Sequence, residues 1–172
     1  GLGEVYKRQV LQIDFAGDHQ YLYRYPTYLQ DGSPSHSGVM IGVYLRENSL
    51  PGDTIAVFPA GQAPYFSGMR AYDMLGKSDA YIAKLNDFQG NRPGHNKFDS
   101  GYIMAKQPTY IFPGFYTLWP GSDAERRDLI QAIEHSHPWL YDLLTNEDFV
   151  AYCMPYSVET NAAQVLFQCK WP

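Results

Sequence analysis

A chain of 172 residues, 45% hydrophobic and only 18% charged, is sized for about one domain and is too apolar to be disordered. Its net charge of -5 and the lack of any Lys/Arg run argue against a nucleic-acid partner, since binding phosphate requires a clustered basic face. No apolar run approaches the roughly 20 residues of a membrane span.

The chain begins with a string that departs from the rest. Val5-Tyr6-Lys7-Arg8-Gln9 can be encoded by GTG TAT AAG AGA CAG, which resembles the end of a transposase-based sequencing adapter. The expectation is a non-native leader over residues 1–9 and a single domain over 10–172, itself a fragment of a larger protein. The alternative is an ordinary basic N-terminal strand.

Residues 10–28 alternate loosely around the Gly17-Asp18 turn and predict a strand or hairpin. Ser33-Pro34 reads as an N-cap with proline in the first turn, opening a helix from about Ser35 to Glu47. Thr54–Phe58 is a short apolar run between turns, which suits a buried strand. Tyr65-Phe66-Ser67-Gly68 reads as a tight turn and Arg70–Met74 as a second strand. Ser78 is a candidate cap for a helix carrying Tyr81, Ile82 and Leu85. A loop over Gly90–Gly94, a short helix over Ser100–Lys106 and a buried strand over Thr109–Phe112 follow.

Beyond Pro113 the pattern changes. Ser122-Asp123-Ala124-Glu125 is a capping box, in which side chain and backbone satisfy each other's free donors. His137-Pro138 interrupts the helix it starts, and a further helical turn runs through Leu143-Leu144 to Asn146. Phe149–Tyr156 and Gln164–Lys170 read as closing antiparallel strands. The expected fold class is therefore α/β, a small mainly parallel sheet with flanking helices and antiparallel strands at its C-terminal edge. Cys153 and Cys169, the two cysteines, fall on those closing strands, where one cross-link is geometrically possible.

Chemistry-bearing motifs are sparse. The chain has no Gly-x-Ser-x-Gly elbow, Gly-x-Gly-x-x-Gly turn or P-loop pattern, so no cofactor is expected. His135-Ser136-His137 offers two imidazoles but no third ligand, and a helix C-terminus explains it as well as a metal does. Gly94-His95-Asn96-Lys97-Phe98-Asp99 places a titratable base, a cation and an anion in one loop, which can hold a phosphate or sugar hydroxyls. Asp99 can equally cap the next helix. Asp73, at a strand's C-terminal end, lies where α/β sheets bind ligands, or pairs with Arg70 or Lys97. The tyrosines, 15 in all, suit carbohydrate surfaces as well as a core.

Three pieces occur in order. The first is Pro51-Gly52-Asp53-Thr54-Ile55-Ala56-Val57 followed by Ala60-Gly61-Gln62-Ala63-Pro64-Tyr65-Phe66-Ser67-Gly68. The second runs from Asp73-Met74-Leu75-Gly76 through Ala83, and the third from Pro93-Gly94-His95-Asn96-Lys97-Phe98-Asp99 to Lys106-Gln107-Pro108-Thr109-Tyr110-Ile111. Together they resemble the extracytoplasmic C-terminal domain of bacterial GT-C type membrane glycosyltransferases, of the arabinofuranosyltransferase-like and protein-mannosyltransferase-like kind. Lys77 departs from that pattern, which has an apolar residue there, usually Leu.

The resemblance implies sugar transfer from a polyprenyl-phosphate donor on the periplasmic face of the cytoplasmic membrane. The implied partners are the chain's own transmembrane domain and a lipid-linked sugar or glycan acceptor. That family's catalytic acids lie on loops of the membrane domain, so no catalytic residue is assigned here. The candidate substrate-binding residues are Tyr65, Asp73, His95, Lys97 and Asp99. Two rival expectations stand beside this one: a free-standing carbohydrate- or peptide-binding module, and a soluble hydrolase with Asp73 and His95 in hydrogen-bonding contact.

Overall fold

A computed structural model describes residues 37–86, 94–114, 122–157 and 165–172. The expected hairpin over residues 10–28, the Ser33-Pro34 cap and most of the Gly90–Gly94 loop lie outside them. Along the chain run α1 (Ser37–Asn48), β1 (Thr54–Val57), α2 (Gln62–Ser67), β2 (Arg70–Asp73), α3 (Ala80–Ala83) and α4 (Ser100–Met104). They are followed by β3 (Tyr110–Phe112), α5 (Asp123–Ile133), α6 (Pro138–Thr145), α7 (Glu147–Tyr152), β4 (Cys153–Ser157) and β5 (Val165–Cys169).

The fold is α/β. The strands form one open sheet in the order β2-β1-β3-β5-β4. β1 lies parallel to both β2 and β3, and β5 runs antiparallel to β3 and β4. Because side chains alternate across a strand, β1 sends Ile55 and Val57 to one face and Ala56 to the other. The first face is covered by Ile41 and Leu45 of α1 and Ala63 of α2, the second by Ile82, Ile103, Leu140, Leu143 and Phe149 of the remaining helices. The crossover from β1 to β2 and the one from β2 back past β1 to β3 run in opposite directions across the sheet. With right-handed connections, that places α2 on one face and α3 and α4 on the other.

Gly42 decides how α2 sits. A Cβ there would stand 2.7 Å from the Phe66 Cβ and 2.8 Å from the Ala63 oxygen, so only glycine lets the two helices close. Gly38 lies against Gln62 and Ala63 in the same way, one turn earlier. The match of 38 to 62 and 42 to 66 means that α1 and α2 run parallel. Residues 65–68, read above as a tight turn, are the last turn of α2. Gly68, at φ 67°, is its left-handed C-cap and donates its amide to the Pro64 oxygen.

Two further corrections concern caps. Asp79, not Ser78, caps α3, accepting from the Tyr81 and Ile82 amides. Asn146, placed above at the end of a helix, also starts one: it accepts from the Asp148 and Phe149 amides and opens α7. The strand expected from Phe149 therefore begins at Cys153. The capping box at Ser122 and Glu125 is present. Cys153 and Cys169 face each other on β4 and β5 and form a disulfide. The Lys170 amide bonds to the Tyr152 oxygen beside them, which makes the cysteines a non-hydrogen-bonded pair, the class with the closer side chains.

Candidate functional site

In a sheet ordered 2-1-3, ligands usually occupy the crevice beyond the carboxyl ends of β1 and β3, where the crossovers diverge. Here that crevice is shut. A Cβ on Gly114, at φ 79°, would lie 2.5 Å from the Pro59 Cγ, so the two strand-end loops are already in contact. Beside it, Asp73 is 3% exposed and its carboxylate turns inward. Oδ1 accepts the Leu75 amide at 3.0 Å, while Oδ2 accepts the Ser78 amide and hydroxyl at 2.5 and 3.1 Å. The aspartate organises the 73–78 loop, pairing with neither Arg70 nor Lys97. Ser78, expected above to cap α3, instead donates its amide and its hydroxyl to Asp73. Lys77 is exposed on this loop, so a cation there costs no packing.

The exposed polar chemistry sits on the helical face, where α3 and α4 meet. Each helix is capped by an aspartate and each carries a tyrosine. Asp79 Oδ1 holds the first turn of α3. Asp99 Oδ1 accepts the Tyr102 amide at 2.8 Å and holds the first turn of α4. The remaining oxygens are exchanged: Tyr81 donates its hydroxyl to Asp99 Oδ2 and Tyr102 donates to Asp79 Oδ2, both at 3.2 Å. The two rings stack with centroids 4.1 Å apart and planes 21° from parallel. Lys106 places Nζ 4.5 Å from the Tyr102 ring centre, within cation–π range. Lys97 donates to the Ala83 oxygen at 2.6 Å, where a cation also suits the C-terminus of α3.

Tyr81 is 48% exposed and forms the open side of this stack. Its hydrogen bond to Asp99, and then the charge of Asp99, raise the Tyr81 phenol above its ordinary value of 10.0. It therefore remains a donor throughout the neutral range. Behind the stack, Asp142 accepts the Ser100 amide at 2.8 Å, and the Ser100 hydroxyl bonds to the Asp142 backbone oxygen.

Burial raises the Asp142 carboxyl, more than the bond from Ser100 lowers it, and Asp99 adds a smaller push upward. The folded state thus favours the protonated acid. Its contribution is stabilising below the unfolded value of 3.8 and is lost as pH rises through the folded value. Asp142→Asn keeps an acceptor for Ser100 and removes the charge. It should raise stability at pH 7, with the gain shrinking as pH falls toward 3.8, in urea melts across that range.

Of the five candidates read from the sequence, the structure brings Lys97 and Asp99 together around the tyrosine stack. His95 stands beside them in the chain but leans on Trp139, centroids 5.0 Å apart, with His137 on the same indole at 5.1 Å. Trp139 is 2% exposed, and among the described residues its Nε1 has no hydrogen-bond partner. Tyr65, 63% exposed, is on α2, across the sheet from the stack. Asp79, Tyr81 and Tyr102 were missed as site residues. The sequence signal was an aspartate cap followed two or three residues later by tyrosine, twice. Among the described residues no group of three His, Cys, Asp or Glu is placed to hold a metal.

Residues 24–159 match the family model described as Domain of unknown function (DUF8728). The chain belongs to that family. Searches of curated proteins and of solved structures match nothing. The match to the DUF8728 domain runs from before α1 into the 158–164 connection, so it takes in β1 to β4 and the whole tyrosine–aspartate cluster. Among its described residues, no helix is long and apolar enough to cross a membrane. Chemically, the cluster offers a flat aromatic surface edged by carboxylate acceptors and a cation.

Proposed function

We propose that this DUF8728 domain is a non-catalytic, extracytoplasmic part of a membrane glycosyltransferase that uses a polyprenyl-phosphate sugar donor. In this reading it packs on the enzyme's transmembrane domain and helps position the donor or the acceptor glycan. The observation that carries the sugar contact is the exposed Tyr81 ring, braced by Tyr102 and bordered by Asp79 and Asp99. An aromatic face stacks on the apolar side of a sugar ring, while carboxylates at its edge accept from the hydroxyls. The bracing matters because a ring fixed in advance loses little entropy on binding. The Cys153–Cys169 disulfide suits an oxidising compartment.

The glycosyltransferase parentage rests on the order and spacing of the sequence motifs. A free-standing carbohydrate-binding module would use the same surface, so the two readings divide on gene context alone. The hydrolase reading draws no support from the geometry, because both Asp73 oxygens are engaged with Leu75 and Ser78.

Soluble mannosides and arabinofuranosides, titrated against the 172-residue chain by saturation-transfer NMR, test the sugar contact. Tyr81→Ala should weaken binding by ~10-fold, as removal of a central aromatic anchor does. Tyr65→Ala, on the other face, should leave it unchanged. Undiminished binding in Tyr81→Ala sinks the site, and a complete gene that encodes no series of hydrophobic spans sinks the parentage.

A further inference from the structure

The parallel packing of α1 and α2 has an electrostatic consequence. Both helices point their C-termini toward the end of the sheet where β1 and β2 begin. A cleft of about 560 Å³ lies there, lined by residues 49–54 and 67–70. A helix C-terminus carries partial negative charge, up to about half an elementary charge for a full helix. Asp53 adds a whole one. Its Oδ2 accepts the Leu50 amide at 2.8 Å, and among the described residues Oδ1 has no hydrogen-bond partner.

The charge is felt inward as well. The Tyr110 phenol is raised chiefly by burial and next by Asp53. Leu50, 73% exposed, lines the cleft with Pro51 and Met69 and gives it apolar walls. At the rim, Gly52 and Gly68 have no heavy atom of the described residues within 4 Å of where a Cβ would stand.

Arg70 is the one cation among the lining residues. Its guanidinium stands 5.6 Å from the Tyr72 ring centre. Tyr72 packs with the helical layer of α3 to α7, so Arg70 leans to the face of the sheet opposite α1 and α2. In the last turn of α1, Arg46 and Glu47 pair with each other at 3.8 Å.

We propose that this cleft binds an aliphatic ammonium group, with the cation at Asp53 and its alkyl chain along Leu50, Pro51 and Met69. The site is independent of the tyrosine stack and of the sugar reading. Anionic ligands are disfavoured by Asp53 and the α1 terminus together. Neutral ones of the same shape forgo the attraction that the cation gains.

The experiment is a titration of the isotope-labelled 172-residue chain with 1,5-diaminopentane, and separately with its neutral counterpart 1,5-pentanediol, read on backbone amides. The diamine is expected to shift Leu50, Gly52 and Gly68 saturably, and the diol to leave them in place. Asp53→Asn keeps an acceptor for the Leu50 amide, so it should fold normally while losing affinity by ~10-fold, or ~1.4 kcal/mol. Arg70→Gln should bind the diamine more tightly, since a like charge is removed, and gives a second measurement should Asp53→Asn not fold. Equal shifts with the diol, or affinity unchanged in both variants, would overturn the proposal.

Discussion

Asp73→Ala is expected to lose ~3–5 kcal/mol of stability, because a buried carboxylate that accepts three hydrogen bonds leaves two backbone donors stranded when it is removed. The Leu75 amide is buried and has no solvent to turn to, and the Ser78 amide is partly so. Asp73→Asn should fall between the two, since one oxygen remains while the amide nitrogen opposes a donor. Urea unfolding of the three proteins gives the comparison. A ligand-contacting Asp73 would behave differently, with stability within ~0.5 kcal/mol of the parent and loss confined to binding. That outcome would reverse the structural role assigned to this residue.

Reduction of the Cys153–Cys169 disulfide is expected to have a comparable effect. The bridge spans 16 residues, and closing a loop of that size is worth ~3 kcal/mol in the chain-entropy account. For a domain of this length the melting temperature should fall by ~6–12 °C in dithiothreitol, and by as much in the Cys153→Ala/Cys169→Ala double variant. The loss should be felt first at β4, an edge strand paired only with β5 among the described strands. Identical melting with and without reductant would remove the stabilising role. Thiol labelling in cells adds a test of location: a protein facing an oxidising compartment keeps both cysteines protected, whereas one in a reducing cytosol does not.

These two expectations come from opposite sides of the sequence reading. The cysteine pair could be placed on two closing strands from pattern alone, though not shown to be bridged. Asp73 could be placed at a strand end, yet its partners could not be named. Turn formers such as Gly76 and Ser78 are compatible with an aspartate facing outward or inward. Which it faces depends on how the 73–78 loop folds back over β2.

Elements with strong local signals were legible. The capping box at Ser122, the helix break at His137-Pro138 and the apolar runs of β1 and β3 are set by interactions within a few residues, so the local string contains them. Two elements with weak local signals were misread. The six residues of α2 hold a proline and no apolar period, and their helical form depends on a seat against Gly38 and Gly42, over twenty positions earlier. In α7, Phe149, Val150 and Tyr152 favour strand by type. The Asn146 cap and the packing of Phe149 on Phe167, ring centroids 4.9 Å apart, hold it as helix.

The site divides the same way. Asp99 as a helix cap, Lys97 in a polar loop and Tyr81 on a helix are each readable from neighbours in the chain. Their union with Asp79 and Tyr102 is not, because the two hydroxyl–carboxylate bonds cross between helices 18 and 23 residues apart. By itself, then, the sequence determined the class of fold, the capped starts of α4 and α5 and the residue types able to meet a ligand, all of which rest on local hydrogen bonding and apolar periodicity. Only the tertiary structure decided that Pro59 and Gly114 shut the usual crevice, that Asp73 turns inward and that the tyrosines stack on the helical face. Those outcomes depend on backbone approach and side-chain exchange between segments that are neighbours in space alone.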